Sequence, residues 1–463
     1  MTEPHWLTAA DTAAAYASGR LSPVELVQAL LARIEKHDRH LNAFIDVGAE
    51  RALDAARHAE KEIHAGRALG PLHGVPVALK DIIDIAGLRT SCHSKLMENH
   101  VARADAAVVS KLRAAGAVLL GKLSLHEFAY GGPSFDLPFP PARNPWNRDH
   151  HPGGSSSGSG AAVAAGLTPL SLGTDTGGSV RNPAGACGVV GLKPTYGLVS
   201  RRGVFPLSFT LDHVGPLARS VRDIALLLDA ISGHDAADPG SAATRAHDFT
   251  RDLERGIRGL RIGVVRHFHE RDLQADADVP PSFEEAARVL KSEGAVLRDV
   301  SLPPLQELNG VQRVILMSES WAVHAGSLKA QPENYAASTR RKLIAGAFLT
   351  AGDYVHAQQR RGQMMANVDD ALKEVDVLLT ANGMDPACRI DDEESVARTY
   401  PRQARSPFNL TGHPAIAMMS GLSKGGLPLS VQLVGRHFDE ATLLRVANAY
   451  ERATEWSKRR PPL

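Results

Sequence analysis

The stretch from Pro152 to Arg181 constrains this chain more than any other. Pro152-Gly153-Gly154-Ser155-Ser156-Ser157-Gly158-Ser159-Gly160 runs directly into Ala161-Ala162-Val163-Ala164-Ala165-Gly166. Leu172-Gly173-Thr174-Asp175-Thr176-Gly177-Gly178-Ser179-Val180-Arg181 follows. A Gly/Ser run by itself reads as a flexible linker. This one leads into an apolar helical segment, then a strand, then a second glycine turn. Linkers do not alternate in this way with core elements, so both turns belong inside a folded body.

The surrounding pattern is α/β. Ser22-Pro23-Val24-Glu25 forms a capping box, and Leu26, Val27, Leu30, Leu31 and Ile34 give the helix one apolar stripe. A second helix is expected over 50–65, ending at Gly66. Val75 to Leu79, Ala117 to Leu120, Ile262 to Val265, Val296 to Val300 and Leu427 to Val434 read as strands. Helices are expected over 104–115, from a Ser282 cap to Gly294, over 220–231 closed by Gly233, and over 439–450. Alternating strands and helices predict an α/β protein with a parallel or mixed sheet and helices on both faces. No repeat of fixed period is present. The Asp-, Ala- and Arg-rich segment 233–255 reads as a loose surface connection. The expected organisation is an N-terminal helical segment, 1–70, packed on a single large domain, 71–463.

Composition narrows the function classes. Lys plus Arg total 52 and Asp plus Glu 51 in 463 residues, a net charge of +1. That balance argues against direct nucleic-acid binding. Cys92, Cys187 and Cys388 form neither a disulfide framework nor a zinc pattern. No apolar run reaches the roughly 18 residues of a spanning helix. The opening residues lack a basic-then-apolar signal pattern, so a cytoplasmic protein is expected.

The common glycine motifs fit poorly. There is no GxxxxGK[ST], and no GxGxxG after a clear strand. Gly154-Ser155-Ser156-Ser157-Gly158 matches GxSxG, but His150-His151-Pro152-Gly153 stands where the hydrolase elbow needs a strand. His126-Glu127 lacks the second histidine of HExxH, and His150-His151 reads as a solvated loop pair.

The chain resembles the amidase signature hydrolases. GGSSSGSGAAVAAG, Leu172 to Gly197 (LGTDTGGSVRNPAGACGVVGLKPTYG) and Gly74 to Asp81 (GVPVALKD) carry the resemblance. Weaker agreement in KLSLHEFAYG, ARNPWN, LDHVGPLARSV and GLPLSVQLVGRHFDE extends it over nearly the whole chain. It implies the fold of that family, a large mixed central sheet covered by helices. It also implies a Ser–cis-Ser–Lys triad without metal or cofactor. By matching position, Ser179 is the nucleophile, Ser155 the bridging serine after a cis Gly154–Ser155 bond, and Lys80 the base. Backbone N–H groups from Thr176, Gly177 and Gly178 through Ser179 would form the oxyanion hole. Ala129 and Tyr130 fall at acyl-contact positions, and Ser156, Asp175 and Arg181 at supporting ones.

Physical chemistry agrees with these roles. A serine hydroxyl is a weak nucleophile until a base takes its proton. Lysine serves only when neutral, and burial at the end of an apolar strand lowers its pKa. Adjacent glycines let backbone donors approach a substrate closely. Asp175 can accept hydrogen bonds from its turn, and Arg181 offers a fixed fork of donors.

Two enzymatic readings follow from the resemblance. One is a stand-alone hydrolase of small-molecule amides, acting through an acyl-enzyme; a homodimer is compatible with it. The other is the glutaminase component of a glutamyl-tRNA(Gln) amidotransferase, its A-subunit, with a partner that binds tRNA. YGLVSRRG, LDHVGP and the position of Arg361 favour the second. Phe135, Leu137 and Phe139, replacing a polar run, and Thr380-Ala381-Asn382-Gly383 favour the first, with apolar aliphatic or aryl amides. Carbamate, ester or urea-derived substrates would suit the same acyl-transfer machinery, and a non-enzymatic relative is disfavoured because all three triad positions are filled.

Overall fold

The computed structural model describes residues 3–244 and 248–463. Eleven strands build one mixed sheet: β1 (Phe44–Val47), β2 (Pro76–Lys80), β3 (Val118–Leu123), β4 (Leu170–Asp175), β5 (Val190–Lys193), β6 (His213–Ala218), β7 (Arg261–Val265), β8 (Val296–Asp299), β9 (Val377–Ala381), β10 (Ala415–Leu422) and β11 (Pro428–Val434). Their order is β1-β3-β2-β4-β6-β5-β10-β11-β9-β7-β8. β2 runs parallel to β3 and β4, β7 runs parallel to β8 and β9, and the remaining pairs are antiparallel. Every residue of β2, β4, β6 and β9 is buried. A strand buried at every position has both faces covered, which is why these read as apolar runs rather than as alternations.

The N-terminal capping box forms as the sequence predicts: the Ser22 hydroxyl accepts the Glu25 N–H, and Glu25 accepts the Ser22 N–H. The first 70 residues are not purely helical, because Phe44–Val47 pairs with β3 and carries them into the sheet. The cap at Ser282 is a misreading. The helix starts at Val279, with prolines in its first turn, and Ser282 sits inside it, bonded to Ser420 at 2.6 Å. Arg245, Ala246 and His247, within the expected loose connection 233–255, lie outside the described residues.

The Gly/Ser run is packed, not loose. Helix Ser157–Ala164 is buried at every residue. A Cβ on Gly158 would lie within 2.3 Å of the Ala43 carbonyl and 2.6 Å of the Ser124 nitrogen, so only glycine allows this approach. No helix among the described residues is long and apolar enough to cross a membrane.

Candidate active site

The parallel strands β2 and β4 end at Lys80 and Asp175, with Asp175 two positions beyond the level of Lys80, at the end where α/β sheets place ligands. Lys80 is fully buried. Its Nζ lies 2.8 Å from Ser155 Oγ and 2.7 Å from Thr174 Oγ1. Burial pushes its pKa down to about 7, and the charges of Asp175 and Asp212 pull it only partway back. A lysine so placed is neutral in a large fraction of molecules near neutral pH.

The Gly154–Ser155 peptide is cis. The Ser155 carbonyl accepts the His126 N–H at 2.9 Å. The Ser156 N–H donates to the Ser179 carbonyl at 3.3 Å, which brings the two serine loops together. Ser179 is half-buried, and its hydroxyl makes no hydrogen bond among the described residues. Ser156 is fully buried; its hydroxyl donates to the Thr174 carbonyl and accepts the Thr174 N–H, both at 3.2 Å. These two hydrogen bonds make Ser156 a staple on the β4 backbone.

Asp175 organises the second turn. One carboxylate oxygen accepts the Gly178 N–H at 2.7 Å, and the other accepts Val180 N–H at 3.1 Å and Arg181 N–H at 3.3 Å. Arg181, itself fully buried, grips both oxygens from Nε and Nη2. Burial works against ionising Asp175, but Arg181, Lys193 and Asn409 overcome it and hold the carboxyl well below the usual carboxylate range. The remaining Arg181 donors reach the Arg405 carbonyl, Gln432 and Asn409. Because Gly178 N–H points to Asp175, the N–H groups of Thr176, Gly177 and Ser179 are those without a partner among the described residues.

Ala129 and its neighbour Phe128 hold left-handed φ values of 60° and 49°. Burial pushes the Tyr130 phenol up to about 12, against the Arg313 charge. Arg361 is half-buried: Nε donates to the Leu410 carbonyl at 2.6 Å and Nη2 to the Thr210 carbonyl at 2.9 Å, while Nη1 has no hydrogen-bond partner among the described residues. Phe135 is 58% exposed, so most of its ring faces solvent. Leu137 borders a small cavity with His93 and His126, and Phe139 packs edge-on to His93.

Sequence reasoning passed over Thr174, Gln312 and Arg405. Thr174 had a signal, since alternation in β4 sets it on the face opposite Asp175. Gln312 comes from helix Leu305–Ala330 and donates to the Thr176 carbonyl at 3.2 Å. Arg405 has no local motif; it comes from the loop before β10 and packs on Gly178.

A buried lysine, two serine loops and an aspartate-braced glycine turn thus meet at the ends of β2 and β4. The amidase family model matches residues 25–444, and the chain belongs to that family, the amidase signature hydrolases. It is 39% identical to the A-subunit of glutamyl-tRNA(Gln) amidotransferase from Chloroflexus aggregans, over all of this chain and 99% of the relative. Peptide amidase from Stenotrophomonas maltophilia superposes with a TM-score of 0.87 at 34% identity, covering 98% of each chain. A chain from a vestigial protein complex that reveals the origins of an s-triazine catabolic enzyme superposes at 0.90 and 35% identity, covering 96% of this chain and 98% of that one.

Proposed function

We propose that this protein hydrolyses carboxylic amides through an acyl-enzyme on Ser179, without a partner protein. The observation that carries the reading is the buried Lys80 Nζ, 2.8 Å from Ser155 Oγ, with its pKa lowered to about 7. Neutral Lys80 donates to Thr174 and accepts the Ser155 proton, while Ser155 accepts that of Ser179. Ser179 Oγ bonds to the amide carbon, and the developing oxyanion meets the N–H groups of Thr176, Gly177 and Ser179, the Gly178 N–H being held by Asp175 instead. Each such donor lowers the barrier by about 3 kcal/mol. The proton returns through Ser155 to the nitrogen, the C–N bond breaks and the amine leaves. Water then attacks the ester, passing its proton along the same path and freeing the acid and Ser179.

The test is labelling with a serine-reactive fluorophosphonate and mapping of the adduct by mass spectrometry. An adduct on Ser179 is expected; one on Ser156 or Ser155 would refute the assignment.

The second reading, a glutaminase that feeds ammonia to a tRNA-dependent partner, draws on the full-length 39% identity to the amidotransferase chain. Against it, Arg361 spends two donors on backbone carbonyls, and Thr380-Ala381-Asn382-Gly383 departs from that subunit's usual Thr-Pro-Thr. Hydrolysis of glutamine alone, accelerated by an added tRNA-binding protein of that assembly, would establish it. The expectation of apolar aliphatic or aryl amides rested partly on Phe135, whose exposure removes that support.

A further inference from the structure

A small cleft of about 50 Å³, open to solvent, lies beside the Gly178 turn. Arg405 lines it, only 6% exposed. The arginine stacks directly on the residue before the nucleophile: a Cβ on Gly178 would stand 2.6 Å from Arg405 Nε. One guanidinium nitrogen, Nη1, donates to the Asn382 carbonyl at 3.0 Å. Nε is buried with no hydrogen-bond partner, and so is the Asn382 side-chain oxygen in the same cleft.

No carboxylate neutralises this guanidinium among the described residues. The acidic groups that act on it are the Tyr400 phenol and Asp175, whose oxygens are occupied by Arg181, Asn409 and the turn. Asp385, which also lines the cleft, is paired with Arg402 at 2.7 Å. His151 adds no negative charge, and burial holds its imidazole neutral, down to about 4. An uncompensated buried charge is costly, and proteins keep one where a ligand supplies the counter-charge.

We infer that this cleft takes the carboxylate of an anionic amide substrate, with Arg405 as the specificity-determining residue and the Asn382 side-chain oxygen accepting an N–H of the same molecule. The inference rests on the amidase reading and deepens it. A guanidinium meets a carboxylate through two parallel N–H bonds, a geometry that an ammonium does not reproduce. A neutral amide of the same shape would leave the guanidinium desolvated and unpaired, which is the basis of strong rejection.

The test uses two substrate pairs on the full-length enzyme: succinamate against butyramide for a carboxylate on the acyl side, and N-acetylglycine against N-propylacetamide for one on the leaving side. The wild type is expected to favour the carboxylate member of at least one pair by on the order of 100-fold in kcat/KM. Arg405→Gln should collapse that ratio, and Arg405→Lys should restore only part of it. The inference fails if the neutral member is preferred in both pairs, or if the ratio survives in Arg405→Gln. Should Arg405→Gln not fold, the wild-type ratio decides together with protection of Ser179 from fluorophosphonate by glutarate, which is expected at millimolar concentration and whose absence would refute the site. Cleavage of neutral amides with Ser179 labelling but no carboxylate preference would sink this inference alone. No cleavage and no labelling would sink the amidase reading with it.

Discussion

Thr174 Oγ1 lies 2.7 Å from Lys80 Nζ, as close as the Ser155 hydroxyl at 2.8 Å on the other side. The lysine therefore has two oxygen partners and no carboxylate within bonding distance among the described residues. A base held in this way keeps its position without being forced into the ammonium form.

The pH profile should report this lysine. Only neutral Lys80 can take a proton, so kcat/KM should rise with pH through a single ionisation centred near 7, the value to which burial lowers it. Thr174→Val removes an acceptor that favours the charged form. The midpoint should then move to lower pH, and the plateau should fall because the amine is less well positioned. Lys80→Ala should lose on the order of 10²–10⁴-fold in kcat while keeping its circular dichroism spectrum. A profile that stays flat from pH 5.5 to 9 would remove Lys80 as the base.

Asp175 and Arg181 should behave as one structural unit. Both are fully buried and joined at 2.9 Å. Removing one partner leaves the other charge uncompensated, so Asp175→Asn should cost about 3–5 kcal/mol in urea unfolding. The folded carboxyl titrates below its ordinary pKa of 3.8, so its contribution is complete above about pH 4 and fades as pH falls below that value. The stability gap between wild type and Asp175→Asn should therefore narrow in acid. An Asp175→Asn protein as stable as wild type at pH 7 would show that the pair contributes little.

How far the sequence carries depends on where each residue finds its partner. Lys80, Ser155, Ser156, Asp175, Ser179 and Arg181 sit in contiguous runs whose residue types fit the chemistry, and the structure brings them to the ends of β2 and β4. Among the strands legible in the sequence, β2, β3, β7 and β11 are short, mainly apolar runs, whereas β8 (Val-Leu-Arg-Asp) is mostly exposed. Helix Leu305–Ala330 is harder to read. Its buried residues, Leu305, Leu308, Gln312, Ile315, Glu319, Ser320, His324 and Leu328, fall at helical spacing but include four polar members. Two of those members are buried because they bond to loops: Gln312 to the Thr176 carbonyl, and Glu319 to Ser208 and Thr210. Arg405 likewise acquires meaning only from Gly178, 227 positions away, given by 405 − 178.

Ser155 and Ser156 are neighbours with separable roles. Ser156→Ala would leave the buried Thr174 N–H without its acceptor, a cost of about 1–3 kcal/mol. Thermal melting should show that loss, while fluorophosphonate still reacts at Ser179. Ser155→Ala should melt near the wild-type temperature but react slowly, because the proton path from Ser179 to Lys80 is cut. If the two variants exchange these behaviours, Ser156 rather than Ser155 is the bridging residue.

Gly178 combines two constraints that a methyl group would violate. Its φ of 118° lies where residues with a side chain are strained, at a cost of about 1–3 kcal/mol. A Cβ there would also lie 2.6–2.7 Å from Arg405 Nε, Cβ and Cδ. The Arg405 backbone carbonyl is held by Arg181 at 2.8 Å, so the arginine cannot simply withdraw. The turn must shift instead, displacing Ser179 and the free N–H groups beside it. A displacement of about 1 Å at reacting atoms costs on the order of 100-fold in rate. Gly178→Ala should therefore lose about that factor in kcat on a neutral amide, with KM changed far less. Fluorophosphonate labelling at Ser179 should slow in parallel, since it depends on the same nucleophile and donors. Normal labelling with lost amide turnover would place the damage in the substrate cleft rather than in the turn.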